Sequence, residues 1–237
     1  MVERFTPTHH ALLFAWISKA VIEAIGEESG GTIMRKAVIR YGMQRGRRMA
    51  LRAKANGDEL TMDNYMAYVE LKMPKEEMKQ KLVERSPHAA IHVFKCSWHS
   101  AWEDNDLMAY GRYFCMEVDK AVVKGFNKDL CIDVNATQPN DGTHCDFVFH
   151  DAQLKGRKMA SFIYKKLIRP GKNAIMPWEY HCGHIYKTTT EVLIEELGER
   201  AINMIDKGME DFGKRYGDSS VAVVKGYIDT DFNELPK

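Results

Sequence analysis

The sequence predicts an α+β fold, with a helical N-terminal part followed by an antiparallel, hairpin-built sheet packed with long helices. Three observations predict it. Up to about residue 86 apolar side chains recur at three- and four-residue spacing, the period of amphipathic helices. From Ala89 the period drops to two, the pattern of strands. Pro139-Asn140-Asp141-Gly142 then separates two alternating runs, which is the turn chemistry of a hairpin. Helices first and a hairpin-built sheet afterwards is the α+β order. A chain of 237 residues suits one elaborated domain over residues 1–237, divided into a helical part, 1–86, and an α+β part, 87–237.

Taken in order, Thr8 can cap a first helix over His9 to Ile25, apolar nearly all round and therefore buried, which Gly26 and the Gly30-Gly31 pair would stop. A second helix is predicted from Thr32 to Ala55, with Asn56-Gly57 as its stop. A third runs from Thr61 through Leu71 and halts before Pro74. The lysine- and glutamate-rich stretch from Pro74 to Arg85 reads as a short solvated helix that breaks at Ser86-Pro87. Ala89 to Trp98 alternates as a strand covered on both faces. A long helix follows from Asp104 or Asn105 to Gly125, with Leu107, Gly111, Phe114, Val118 and Ala121 on one stripe. The hairpin strands are Leu130 to Thr137 and His144 to Phe149, with Cys145, Phe147 and Phe149 on one face. Between Asp151 and Met176 the pattern fits a strand or a short helix ahead of Pro170-Gly171. A final long helix is expected from Tyr186 to Gly217, and an edge strand from Val221 to Tyr227.

The 34 Lys and Arg residues nearly balance 33 Asp and Glu, so no whole-protein field draws the chain to nucleic acid or an anionic membrane. Neither is an expected partner. The five cysteines are odd in number and contain no C-x-x-C pair, which argues against a secreted disulfide framework and for a reducing cytoplasm. The apolar run Ala11 to Ile17 lacks the basic leader and cleavage site of an export signal.

Reactive side chains concentrate in three places. Phe94-Lys95-Cys96-Ser97-Trp98-His99 ends a strand, where His99 is either a loop-borne functional group or a packed structural one. Cys115 and Asp119 stand four apart on the long helix and so share a face. A thiol and a carboxylate could then serve one pocket, although Cys115 could equally be core and Asp119 a structural acceptor. Glu179-Tyr180-His181-Cys182-Gly183-His184 gathers two histidines and a cysteine. The run lacks the pair spacing of a zinc site, so no cofactor is expected, with zinc as the alternative. The second helix also carries Arg35, Lys36, Arg40, Arg45, Arg47, Arg48, Arg52 and Lys54 without an acidic residue between Thr32 and Asn56. Salt bridges to acidic helices, or capture of a small carboxylate by one inward arginine, account for them better than phosphate-backbone binding.

The segments RYGMQRGRRMALRA, LTMDNYMAY, YFCMEVDKAVVKGFNKDL, GTHCDFVF and YHCGHIY together resemble the L-2-amino-thiazoline-4-carboxylate hydrolase family over about Thr32 to Tyr186. The resemblance implies a hydrolase that opens a small carboxylate-bearing cyclic amidine or amide, as in conversion of L-2-amino-thiazoline-4-carboxylate to an N-carbamoyl amino acid. Its partner would be a small anionic heterocyclic substrate, and a homo-oligomer is open. The helix, hairpin and C-x-F-x-F portion also looks like the 4-vinyl reductase type of domain, which implies a non-catalytic small-ligand-binding or sensor module as the alternative. Side-chain chemistry assigns the roles: Cys115, Asp119, His99 and His181 catalytic, Arg45 or Arg48 on the substrate carboxylate, and Trp98, Tyr113, Thr137 and His184 as further substrate contacts.

Overall fold

The computed structural model describes residues 4–168 and 174–236. It is α+β, with a four-stranded antiparallel sheet in the order β1-β2-β4-β3. The elements are α1 (Pro7–Ile25), α2 (Glu27–Ala55), α3 (Met62–Ala67), β1 (Lys79–Glu84), β2 (Ala89–Lys95), α4 (Ser97–Glu103), α5 (Met108–Phe126), β3 (Ile132–Ala136), β4 (Cys145–Phe149), α6 (Gly156–Ile168), α7 (Trp178–Leu197), α8 (Arg200–Tyr216) and α9 (Asp218–Lys225). Among the described residues no helix is long and apolar enough to cross a membrane.

The chain divides into two compact units. The first comprises residues up to Tyr41, Ser97–Glu117 and Pro177–Thr230, and is helical. Its centre is α1, buried almost all round as its apolar sequence predicts, with α4, α7 and α8 packed on it. The second comprises Gly42–Cys96, Val118–Met176 and the tail from Asp231, and holds the sheet with α3, α6 and the C-terminal parts of α2 and α5.

Within the second unit α2 and α5 touch backbone to backbone. A Cβ on Gly42 would lie 2.5 Å from Ala121 Cβ, on Gly46 2.1 Å from the Val122 carbonyl oxygen, and on Gly125 2.3 Å from the Met43 carbonyl oxygen. The Gly42-x-x-x-Gly46 spacing puts both glycines on one face of α2, so the two helices close on each other without side chains between them.

Several elements differ from expectation. The first helix stops at Gly26 alone, where φ is 86°, and Gly30-Gly31 lie inside α2. Gly31 is required there by packing, since a Cβ would meet the Tyr113 ring at 2.6 Å. The third helix ends at Ala67, short of Leu71. The charged stretch expected to be a solvated helix contains strand β1, which pairs with β2. Pairing has overridden helix propensity, and the lysine- and glutamate-rich composition belongs to an exposed sheet edge. The strand from Ala89 ends at Lys95, and Ser97 to Glu103 is helical. Nor is β2 covered on both faces: Ala89 and Val93 are buried, whereas His92 and Phe94 on the opposite face keep exposed surface. The hairpin turn is a short 3-10 segment, Gln138–Asn140, followed by Asp141 in the left-handed region at φ 66°. The open segment resolves as helix α6, whereas Pro170-Gly171 lies outside the described residues. The expected final helix is two, because Gly198 at φ 61° breaks it, and the expected edge strand is helix α9.

The glycine contact predicts an asymmetric pair of substitutions. Gly46→Ala should lower the midpoint of chemical denaturation by the equivalent of about 3 kcal/mol or more, the top of the overpacking range, because the obstructing atom is backbone and cannot rotate away. Gly213→Ala on α8, where the nearest atom is the Val221 methyl at 3.1 Å, should change it little.

Candidate active site

The second unit buries an unusual set of charges. On α2 the arginines at 45, 48 and 52 follow helical spacing and point inward, and Arg48 is fully buried. Glu70, just after α3, receives them. Arg48 donates from Nε and Nη2 to its two carboxylate oxygens, each at 2.9 Å, and from Nη1 to the Phe232 carbonyl. Arg52 Nη1 donates at 2.7 Å, and Arg45 Nε lies 3.6 Å away. Burial alone would raise the Glu70 pKa, but the charge and hydrogen bonds of Arg48, with Arg45 and Arg52, overcome it and hold the carboxyl at about 2.

Asp119, on α5 between Val118 and Ala121, has the opposite fate. Its residue surface is half-buried, yet the carboxyl is desolvated strongly enough to raise its pKa to about 6, against the opposing pull of Arg45. Tyr65 on α3 is buried near the same charges, and burial followed by the Asp119 charge pushes its phenol up, so it remains a neutral donor. Cys145 on β4 is pushed up to about 11, chiefly by burial, with Cys96 and Asp119 adding to the rise. It is a neutral thiol at ordinary pH, not a ready nucleophile. Its sulfur accepts the Gln138 backbone N–H at 3.4 Å. Thr137 holds the adjoining turn, its hydroxyl accepting from Asn140 Nδ2 at 2.8 Å and its carbonyl from the Asn140 and Gly142 N–H groups.

The first unit contains a buried histidine and aromatic cluster. The Trp98 indole N–H donates to His10 Nδ1 at 3.1 Å, and His10 Nε2 meets the Tyr41 hydroxyl at 3.0 Å. Because indole only donates, neutral His10 carries its proton on Nε2 and passes the hydrogen bond to Tyr41. His184 packs on Tyr41 with centroids 4.4 Å apart, and Trp178 lies 5.4 Å from His181 and 5.7 Å from Trp98. The H-C-G-H run thus sits on helix α7, where burial drives the Cys182 thiol well above its ordinary range. Gly183 is needed for close packing, since a Cβ there would strike the Tyr227 ring at 2.4 Å.

The residues predicted for a site therefore fall into two groups. Arg45, Arg48, Asp119 and Thr137 belong to the second unit, and Cys115, His99, His181, His184, Trp98 and Tyr113 to the first. Cys115 and Asp119 do lie one turn apart on α5. Cys115 is half-buried and in no disulfide. His99 lies 4.0 Å from Glu103 one turn along α4, and the Tyr113 hydroxyl donates to Glu27 at 3.2 Å. The outer basic residues of α2 serve as ion pairs, Arg35 with Glu117, Lys36 with Glu196 and Arg40 with Glu195 in the first unit, and Arg47 with Glu234 in the second. Sequence reasoning missed Glu70, Tyr65 and His10. Glu70 stands behind Met66-Ala67-Tyr68-Val69 and His10 ahead of Ala11-Leu12-Leu13-Phe14, and that isolation beside an apolar run was the available signal; Tyr65, after Asp63-Asn64, carries none.

A family model described as L-2-amino-thiazoline-4-carboxylic acid hydrolase matches residues 7–149. The match begins earlier than the resembling segments and takes in His10, Arg45, Glu70 and Asp119, but it ends before His181 and His184. Comparison with curated proteins and with solved structures gives no match.

The two carboxyls should respond oppositely to change. Glu70→Gln leaves buried guanidinium groups uncompensated and should cost about 3–5 kcal/mol in equilibrium unfolding. Its depressed pKa makes the stabilisation present above the ordinary 4.5 and lost as pH falls toward about 2. Asp119 has a raised pKa, so its contribution is fully present below 3.8 and lost as pH rises through about 6. Asp119→Asn should accordingly unfold at higher denaturant than the parent above pH 6, with the gain shrinking toward pH 4.

Proposed function

The chain belongs to the L-2-amino-thiazoline-4-carboxylic acid hydrolase family, and on that premise we propose that it hydrolyses a small, carboxylate-bearing cyclic amidine or amide with Asp119 as general base. The observation that carries this reading is the Asp119 carboxyl, raised to about 6 by burial and facing the charge of Arg45. A base poised just below neutral pH is ionised when it works, yet basic enough to take a proton from water.

In a 2-amino-thiazoline ring the electrophile is the amidine carbon between sulfur and nitrogen. Ionised Asp119 removes one proton from water as its oxygen bonds to that carbon, and the ring nitrogen, which receives the electron pair of the opened C=N bond, takes a proton from solvent. The carbon–sulfur bond then breaks, the added hydroxyl gives its proton back to solvent as the carbonyl forms, and Asp119 returns its own proton to the departing thiolate. Water adds across the bond, and the product is an N-carbamoyl amino acid with a free thiol. Tyr65, held neutral, supplies an O–H donor for the charge that develops on oxygen or sulfur. The charge balance suits an anion, since three guanidinium groups, Arg45, Arg48 and Arg52, face two carboxyls, Glu70 and Asp119. Arg45, whose charge acts on both Glu70 and Asp119, is the guanidinium we assign to the substrate carboxylate or the intermediate.

Purified protein assayed against 2-amino-thiazoline-4-carboxylate, hydantoin and related ring carboxylates should open at least one, with a rate that climbs as pH rises through about 6. Asp119→Asn should lower turnover by roughly 10²–10⁴-fold while the protein stays folded, the range for loss of a general base. Turnover retained in that variant would remove Asp119 from the chemistry. Saturable binding of such ligands with no ring opening would instead favour the ligand-binding module.

A further inference from the structure

The open face of the sheet carries a cluster that the reaction above does not use. Ile132 pairs with Phe149 and Asp133 with Val148 in the β3–β4 ladder, and one step further the His150 N–H donates to the Cys131 carbonyl at 3.2 Å. Cys131 and His150 are therefore direct cross-strand neighbours, and Asp133, two residues along, shares the Cys131 face. Their side chains converge. The Cys131 sulfur, an Asp133 carboxylate oxygen and a His150 ring nitrogen all lie within 4.8 Å of one another. His150 Nε2 meets Asp133 Oδ2 at 2.7 Å. Cys131 and Asp133 are exposed and His150 half-buried, so an ion can reach all three from solvent.

We propose that Cys131, Asp133 and His150 form a binding site for Zn2+ on the open face of the sheet. The donor set decides the metal. A thiolate and an imidazole disfavour magnesium and calcium, which take oxygen ligands, whereas sulfur, nitrogen and one carboxylate oxygen suit zinc. The geometry requires small adjustment only: bonds of about 2.0 Å to nitrogen and about 2.3 Å to sulfur place tetrahedral ligand atoms about 3.3–3.8 Å apart, so the sulfur draws in while the 2.7 Å His150–Asp133 pair opens slightly, shifts that side-chain torsions can supply. Binding replaces a proton at each of two atoms. The Cys131 thiol proton passes to solvent, and neutral His150 takes the tautomer with its proton on Nδ1, so that the Nε2 lone pair and the Asp133 carboxylate both face the ion. Neighbouring His88 is not a fourth ligand through Nδ1, because that atom accepts the Asp151 N–H at 3.0 Å. Its ring lies 4.7 Å from that of His150 and walls one side of the site. Three protein ligands leave the remaining position to water. The ion would tie the end of β3 to the end of β4, so its effect should be read as stability of the second unit and not as turnover of substrate.

Titration of the full-length, metal-stripped protein with Co2+ as a zinc probe should give a thiolate-to-cobalt absorption band that saturates at one equivalent and is abolished by Zn2+. Cys131→Ser should lose the band, and Cys96→Ser, Cys115→Ser and Cys145→Ser should keep it. Asp133→Asn and His150→Ala should each weaken zinc affinity by roughly tenfold or more, and His88→Ala by less. Zinc should raise the melting temperature of the parent and leave that of Cys131→Ser unmoved. Absence of a cobalt band in the folded parent, or a band that survives Cys131→Ser, would overturn the site.

Discussion

The second unit depends on the contact between α2 and α5 at Gly42, Gly46 and Gly125. Removing side chains there lets the helix backbones approach closely enough to enclose Arg45 beside Gly46 and the Asp119 carboxyl, while Met43 and Arg47 on the outer face stay exposed. Arg45 lies just before Gly46 on α2, and Asp119 lies between the Val118 and Ala121 positions that Gly42 touches on α5. A dry environment for charged groups is thus a consequence of glycine spacing. Neither helix needs a special conformation for it; both need only the absence of Cβ atoms at three places.

Enclosing charges is costly unless they are paired, and the unit answers this for Arg48 and Arg52 with Glu70. Glu70 sits just beyond the short α3, whose arrest at Ala67 lets the chain turn the carboxylate toward α2. The bidentate fork from Arg48, with the Phe232 carbonyl taking the remaining arm, immobilises that arginine from both sides of the sequence. An Arg48→Lys change would keep the charge and lose the fork, which is why the position calls for arginine.

The helical elements were legible because their signals are local. Apolar spacing predicted α1, α2 and α5, and the Pro-Asn-Asp-Gly turn predicted the β3–β4 hairpin. Failures came where distant pairing decides. The Lys79–Glu84 composition favours a helix, and only the presence of β2 alongside makes it an edge strand. The reverse error at Asp218–Lys225 has the same origin, since Val221, Val223 and Val224 favour a strand by propensity while the helix is fixed by packing on α7 and α8. Of the groups in the proposed site, Arg45 and Asp119 stand out in the sequence by residue type and helix face. Their partners Glu70 and Tyr65 were not, because they come from a separate segment and meet α2 and α5 only in the folded chain.

The same contrast separates the two enclosed carboxyls by their ionisation. Glu70 and Asp119 both feel the charge of Arg45, yet one is driven down to about 2 and the other up to about 6. The difference is in who holds them. Glu70 receives direct donors from Arg48 and Arg52, so it stays ionised throughout the useful pH range and cannot exchange a proton near neutrality. Asp119 feels Arg45 only through its field, which leaves desolvation in control and its proton exchangeable near pH 6. Glu70 also absorbs the arginine charge that would otherwise pull Asp119 down. A fully paired Asp119 would make a more stable protein and, under the proposed reaction, a poorer base, so the fixed negative charge at Glu70 is what lets the second carboxyl keep an exchangeable proton.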